Sequence, residues 1–404
     1  MTNRRQFTAA VAGGSAMLAA PALVRAQAAT LKIGYSASKT GPNAGGVATQ
    51  ITPVYGMWVK EVNAAGGINV KGKKMPVEIV EYDDRSSSEE AVRAYERLAT
   101  QDKVDFVLAP WSTGINLAVA PTLNKYNFPH LAVASITDMA PQLVKRWSNV
   151  FFCLGGGSMY GEALIDILEV QRKAGLIGSN IAMINIADAF GVDLSGGARK
   201  AAAKHGFKLV YDKSYPIGTQ DMSPLISEAK ATDADAFVAF SYPPDSIAIT
   251  EQARVSAYNP KVFAVGVGTA FPIYKKRFGA NVEGVMGCGG VAADSPSFQA
   301  FYKKHVEMTG QEPDRWANVV MYSTLQILQQ AIERAGTSDR AAVIDEIKKN
   351  SFDTANGTMK FTDQQWTDLW FIGQWQNGEF YGVAPAAKAG AKKVLLPKPA
   401  WKAA

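Results

Sequence analysis

The chain has 404 residues, 47% apolar and 19% charged with 36 glycines, which excludes a disordered tail, a collagen and a small disulfide-stapled module. At about 100–200 residues per domain, the length implies two or three domains with real cores. The formal charge is +6, but Arg4, Arg5 and Arg25 sit in the N-terminal segment and leave +3 for the rest, too weak an excess to suggest nucleic acid.

Arg4-Arg5 with Phe7, the mildly apolar Thr8–Leu23 stretch and the small-x-small Ala26-Gln27-Ala28 read as a secretory signal peptide over 1–28, of the twin-arginine (Tat export) type. No later stretch is long and apolar enough to span a bilayer, so a soluble periplasmic protein is expected from about Ala29.

The elements then alternate. Leu31–Tyr35 is strand-like, and Val47, Ile51, Val54, Tyr55, Trp58, Val59 and Val62 share a helical face that Gly66-Gly67 ends, with Pro53 disturbing the first turns. Val77–Tyr82 is extended. Ser86–Ser88 with Glu89 and Glu90 starts a helix whose buried stripe is Val92, Tyr95 and Leu98. Asp105–Ala109 and His130–Ala134 are the next strands. After Val150–Leu154 the rhythm restarts: helix Met159–Ala174, strand Ile181–Ile186, helix Val192–His205, strand Lys208–Tyr215, a helix opened by Ser223-Pro224, strand Asp235–Phe240, helix Ser246–Ala257 and strand Lys261–Val265. Ser297–Thr309, Arg315–Ala335 and Ala341–Asn350 read as helices, Phe361–Phe380 as strand and hairpin, and the Ala/Lys/Pro-rich tail from Ala386 as loosely ordered. Two α/β domains built on parallel sheets follow from this order.

Ligands of parallel sheets sit beyond the carboxyl ends of the strands. The corresponding loops are Ser36–Gly46, Trp111–Gly114, Ser135–Asp138, Ala187–Gly191, Ser241–Asp245 and Gly266–Phe271, rich in Ser, Thr, Gly and aromatics. Cys153, Cys288, His130, His205 and His305 show no metal-ligand spacing, so neither a metal nor a cofactor is expected.

Thr40-Gly41-Pro42, the Glu61–Ile68 run through Gly66-Gly67, Tyr82-Asp83-Asp84 and Asn350–Thr354 with Gly357 resemble the leucine/isoleucine/valine-binding family of periplasmic solute receptors of ABC transporters. The resemblance covers nearly all of the chain after the leader. It implies the type I periplasmic-binding-protein fold, two parallel-sheet α/β lobes joined by three hinge segments, with one lobe at 29–150 plus 289–358 and the other at 151–288 plus 359–404. It also implies a monomer that binds a small molecule and docks on an inner-membrane permease.

In the family, two Ser/Thr loops of the first lobe hold the ligand carboxylate; the matching positions are Ser112 and Thr113, then Ala134 and Ser135, with Thr137 slightly offset. Helix-start amides favour an anion without a nearby lysine or arginine. The acid that would hold an ammonium after the last strand of the second lobe is missing from Val265–Phe271, of which Gly268 is expected to border the ligand, and Phe190 replaces the usual tyrosine in Asp188–Gly191. Trp111, Phe190, Tyr242 and Phe271 offer aromatic walls instead. An aromatic acid or 2-oxo acid is therefore favoured. A branched-chain or other neutral amino acid, held by Asp138, Asp188 or Asp245, is the alternative. The resemblance also places Cys153 and Cys288 on adjacent crossings, where a hinge disulfide is one expectation and two buried free thiols the other.

Gly266-x-Gly268 is a fragment of a dinucleotide fingerprint without its third glycine, and no Gly-x-Ser-x-Gly elbow or Walker loop is present, so an enzyme is not expected. A periplasmic sensor subunit fits the same sequence as well as a transport receptor does.

Overall fold

The computed structural model describes residues 29–402, so the leader and the export reading based on it lie outside the described residues. Leu31–Ala37 is the centre of a parallel three-stranded sheet, flanked by Val77–Asp83, in register from Leu31 opposite Val77 to Ala37 opposite Asp83, and by Phe106–Val107. His130–Ala132 and Val150–Phe152 pair in parallel beside it in sequence. A second sheet has seven strands in the order Glu379–Ala384, Ile372–Gln376, Met286–Cys288, Val262–Val265, Ala236–Phe240, Asn180–Ile186, Lys208–Tyr215. Its two outermost strands at the Glu379 end run antiparallel, joined at Asn377-Gly378, whose positive φ values of 53° and 76° suit a tight hairpin. Ile181 to Ile184 are all fully buried, as befits a strand covered on both faces.

The late helices Pro296–Thr309, Ala317–Ala335 and Arg340–Lys349 return to the first sheet. Arg340 fixes that return: its guanidinium donates to the carbonyls of Val104, Asp105 and Tyr126 at 2.6–2.8 Å and lies 3.7 Å from the Phe128 ring centroid. Lys304 pairs with Glu61 at 2.7 Å on the same side.

Pro53 leaves its mark as anticipated. The helix runs through it to Ala64, but Val47–Ile51 winds as a π-helix, and the carbonyls of Thr49 and Gln50 accept from the Asn318 side-chain amide at 3.3 Å. The helix expected from Arg315 begins at Ala317, because Trp316 adopts φ −157°, ψ −85°. Phe361–Phe371 is an irregular crossing, and the regular strands are confined to Ile372–Gln376 and Glu379–Ala384.

Three segments cross between the lobes. The third, near 364–371, bonds to both others: Phe152 N donates to Gln364 O at 2.9 Å, Trp366 N to Phe152 O at 2.9 Å, and Gly289 N to Phe371 O at 2.7 Å. Cys153 and Cys288, at the ends of the first and second crossings, therefore face different neighbours, and no disulfide joins them: both are buried free thiols. Burial pushes both up, Cys288 to about 12.

The tail is not loose. The Gln374 side chain clamps Leu395 at both backbone groups (2.7 and 2.8 Å), Lys398 is 3% exposed, and Trp401 meets Phe263 edge-on while donating to Tyr258 O at 2.8 Å. Composition suggested disorder because Ala, Lys and Pro carry no periodicity. An extended segment anchored by one indole and one amide clamp needs none.

Two outcomes follow. Trp401→Ala should cost about 2 kcal/mol in urea unfolding, less than the roughly 3–5 kcal/mol of a fully buried aromatic because the indole is half-buried, whereas a loose tail would give no change. A thiol reagent should label neither cysteine in the native protein and both after denaturation.

Candidate functional site

The strand end at Ala109 is held by the Tyr55 hydroxyl at 2.9 Å, and the chain then turns at Ser112, a non-glycine residue at φ +80°. Ser112 caps the Thr113–Lys125 helix by accepting from Ile115 N at 3.3 Å. The amides of Thr113 and Gly114 open that helix and have no intrahelical acceptor. Thr113 Oγ1 accepts from Ile136 N at 3.0 Å and donates to Ile136 O at 3.3 Å, pinning the second hydroxyl loop onto the first. Between Ala134 and Ile136, the Ser135 hydroxyl is completely buried and has no hydrogen-bond partner. Such an orphan is costly unless something occupies its site.

Trp111, Ser112, Thr113, Ala134, Phe190 and Tyr242 line one small chamber, closed further by Gln50, Ile136, Leu154, Val267, Trp316 and Ala317. Tyr242 of the second lobe stacks on Phe190 (5.0 Å, 22°) and tilts against Trp111 of the first (5.2 Å, 58°). The chamber measures about 20 Å³, room for about one water molecule. Anything larger requires the rings to move or the lobes to part.

Three of the expected residues lie outside this lining: Ser135, whose neighbours Ala134 and Ile136 form the wall instead, Thr137 and Gly268. Thr137 donates to Asp193 Oδ2 at 2.9 Å, and Asp138 N does the same, so this loop latches the first lobe to the Ala189–His205 helix. Gly268, at φ +103°, packs under Pro243: a Cβ there would come within 2.6 Å of Pro243 Cα. Its neighbour Val267 provides the wall.

Gln50 and Trp316 escaped a search confined to loops after strands. Gln50 accepts from Trp111 Nε1 at 2.7 Å and donates to Asp314, whose other oxygen accepts from Trp316 N (3.0 Å) and Asn318 N (2.8 Å) at the start of the Ala317–Ala335 helix. A signal existed, since Gln50 falls between Val47 and Val54 on the apolar helical stripe, where a lone amide demands a buried partner. The indole lies flat on Gly46, where a Cβ would clash at 2.3 Å.

Of the three acids offered as alternative partners for an amino group, only Asp245 lines a cavity between the lobes. The loop after Val262–Val265 has no acid, but Asp188 stands behind Tyr242. Its Oδ2 accepts the Tyr242 hydroxyl at 2.7 Å and its Oδ1 accepts Gly191 N at 2.9 Å, and burial raises its pKa above the usual carboxylate range. Asp245 is 7% exposed, accepts from the Tyr215 hydroxyl at 3.2 Å, and is raised to about 6, chiefly by burial and also by Asp188. Asp138 instead caps Ser158 N at 3.0 Å. Among the described residues, no group of three or more His, Cys, Asp or Glu is placed to hold a metal, and no helix is long and apolar enough to cross a membrane.

Folding raises the Asp245 pKa, so the folded chain takes up a proton between the ordinary aspartate value and about 6, and stability falls as pH rises across that window. Asp188, Tyr215 and Tyr242 are the titratable groups around it. Asp245→Asn should therefore raise the melting temperature at pH 8 relative to wild type, with the gain shrinking toward pH 4; thermal unfolding at both pH values measures this.

Residues 30–379 match the family model described as periplasmic binding protein. The chain is similar to Leu/Ile/Val-binding protein homolog 7 of Brucella melitensis, 22% identical with 84% of this chain and 88% of the relative covered. It shares its fold with the branched-chain amino acid transporter substrate-binding protein of Streptococcus pneumoniae in complex with isoleucine (TM-score 0.74, 21% identity, 87% and 97% covered). It likewise shares its fold with a solute-binding protein of an R. palustris ABC transporter in complex with benzoate (TM-score 0.74, 18% identity, 91% and 99% covered). With a two-lobed α/β architecture of type I and a family match that spans both sheets, the chain belongs to the periplasmic binding protein family.

Proposed function

We propose that this chain is a periplasmic receptor that captures a small carboxylate, favouring an aromatic acid or a 2-oxo acid, between its lobes and hands it to the permease of an ABC importer. The observation that carries the reading is the chamber itself, in which Ser112 and Thr113 at the start of the Thr113–Lys125 helix share one lining with the aromatic rings Trp111, Phe190 and Tyr242. A carboxylate accepts from the Ser112 hydroxyl and the helix-start amide of Thr113, and a ring or flat acyl group fits against Trp111, Phe190 and Tyr242 once Tyr242 yields its place. The benzoate complex of the R. palustris relative supports this ligand class.

Ligand touches both lobes only when they are together, so binding favours the closed arrangement, whose outer faces a permease can read. No bond is made or broken in this scheme. The lobes we assign are 29–150 with 289–358 and 151–288 with 359–404, in a chain that acts as a monomer after removal of a twin-arginine leader. A neutral amino acid is the second reading, favoured by the isoleucine-bound relative and by Asp188 behind the chamber, although both Asp188 oxygens already hold protein donors.

A thermal-shift panel of benzoates, phenylpropanoates, 2-oxo acids, branched-chain amino acids and amides tests the choice, because selective binding raises apparent stability. Carboxylates without an α-amino group should stabilise the protein and their amides should not. A response confined to leucine-like amino acids would replace the first reading with the second. Ser112→Ala should weaken the best carboxylate about tenfold or more, since one hydrogen bond to a charged group is usually worth about 1.5–3 kcal/mol, as measured by calorimetry.

A further inference from the structure

Tyr242 borders two spaces. Besides the aromatic chamber it lines a cavity of about 420 Å³ between the lobes, walled by Pro42 and Gly45 of the first lobe and by Ile217, Pro244 and Asp245 of the second. Tyr242 lines both spaces. The larger one is of ordinary ligand-pocket size, whereas the chamber holds about one water.

Asp245 is the one charged group in the wall of this cavity. It sits in the first turn of the Pro243–Val255 helix, is more than nine-tenths buried, and receives the Tyr215 hydroxyl on one oxygen; no cation pairs with it among the described residues. A carboxylate can accept about four hydrogen bonds, and a buried one left short of donors costs free energy. The cavity leaves room for a further donor, and Pro42, Ile217 and Pro244 offer carbon surface leading to it.

We propose that this cavity is a second subsite of the ligand site, sharing the Tyr242 ring with the chamber, and that Asp245 selects carboxylates carrying a hydroxyl or amino group at the end opposite the carboxylate. The inference rests on the carboxylate reading given above. With the carboxylate on Ser112 and Thr113, such a ligand displaces Tyr242 and reaches Asp245 with its far end. Hydroxyl and ammonium share the donor chemistry that Asp245 lacks.

Calorimetric titration of the full mature chain with 3-phenylpropanoate, its 4-hydroxy and its 4-aminomethyl derivatives tests this. At least one derivative should bind about tenfold tighter than the parent, as expected for a charge-assisted hydrogen bond. In Asp245→Asn the ratio for the aminomethyl compound should fall below about threefold, the coupling of a neutral donor. A second variant avoids touching the acid: Gly45→Leu lies in a helix where a Cβ meets only Pro244, at 4.0 Å, so its side chain grows into the cavity and should erase the preference for the longer derivatives. If the parent binds and neither derivative gains, or if the gain survives in both variants, the subsite is overturned while the carboxylate reading stands. If none of the three carboxylates binds, both fall.

Discussion

A completely buried aspartate organises the interior of this receptor. Asp314 cannot be left without donors in an apolar core, and the fold surrounds it with the backbone amides of Trp316 and Asn318 and the side-chain amide of Gln50. Those three donors come from two distant parts of the chain. The late helix Ala317–Ala335 is thereby fixed against the early helix around Gln50, and through Gln50 the indole of Trp111 is held flat over Gly46. Removing any one group would leave another buried and unpaired, so the position of the chamber's first-lobe wall is set by hydrogen-bond satisfaction as much as by packing.

The second-lobe wall is built on different terms. Tyr242 and Phe190 are parallel-stacked rings, anchored from behind by a capping aspartate that also receives the tyrosine hydroxyl. A dispersive ring contact is easier to exchange for another ring than a saturated polar network is to rebuild. The rigid face therefore carries the anion donors, and the exchangeable face carries the aromatic surface. This division suits a site that must fix one end of a ligand and adapt to the other.

Much of this was legible from residues alone. The strand and helix order, the hydroxyl loops at Ser112 and Ser135, and the aromatics Trp111, Phe190 and Tyr242 could be read because βα periodicity places strand-end loops together. What escaped came from long-range contacts with no local signature. Gln50 and Trp316 sit on or before helices, and their meeting depends on the chain's return to the first sheet through Arg340. Thr137 was grouped with the binding loop by proximity in sequence, yet its hydroxyl turns to the other lobe because Asp193 is there. Asp138, Asp188 and Asp245 were legible as alternative partners for an amino group, but only Asp245 reaches a cavity wall, since the side on which a loop side chain emerges is decided by the turn. The tail's order depends on a glutamine and a tryptophan finding partners more than twenty or a hundred residues away, which composition cannot express.

The latch from Thr137 and Asp138 to Asp193 has a thermodynamic corollary. It joins the jaws without requiring any guest, and the Trp111–Tyr242 contact does the same. An empty shut form then competes with the filled one, and every fraction of molecules resting in it is subtracted from those able to admit solute, so observed affinity is weaker than the intrinsic grip by that occupancy. Strengthening such bridges would make a poorer scavenger and a quieter signal at the membrane, while loosening them would sharpen the contrast between vacant and loaded receptor.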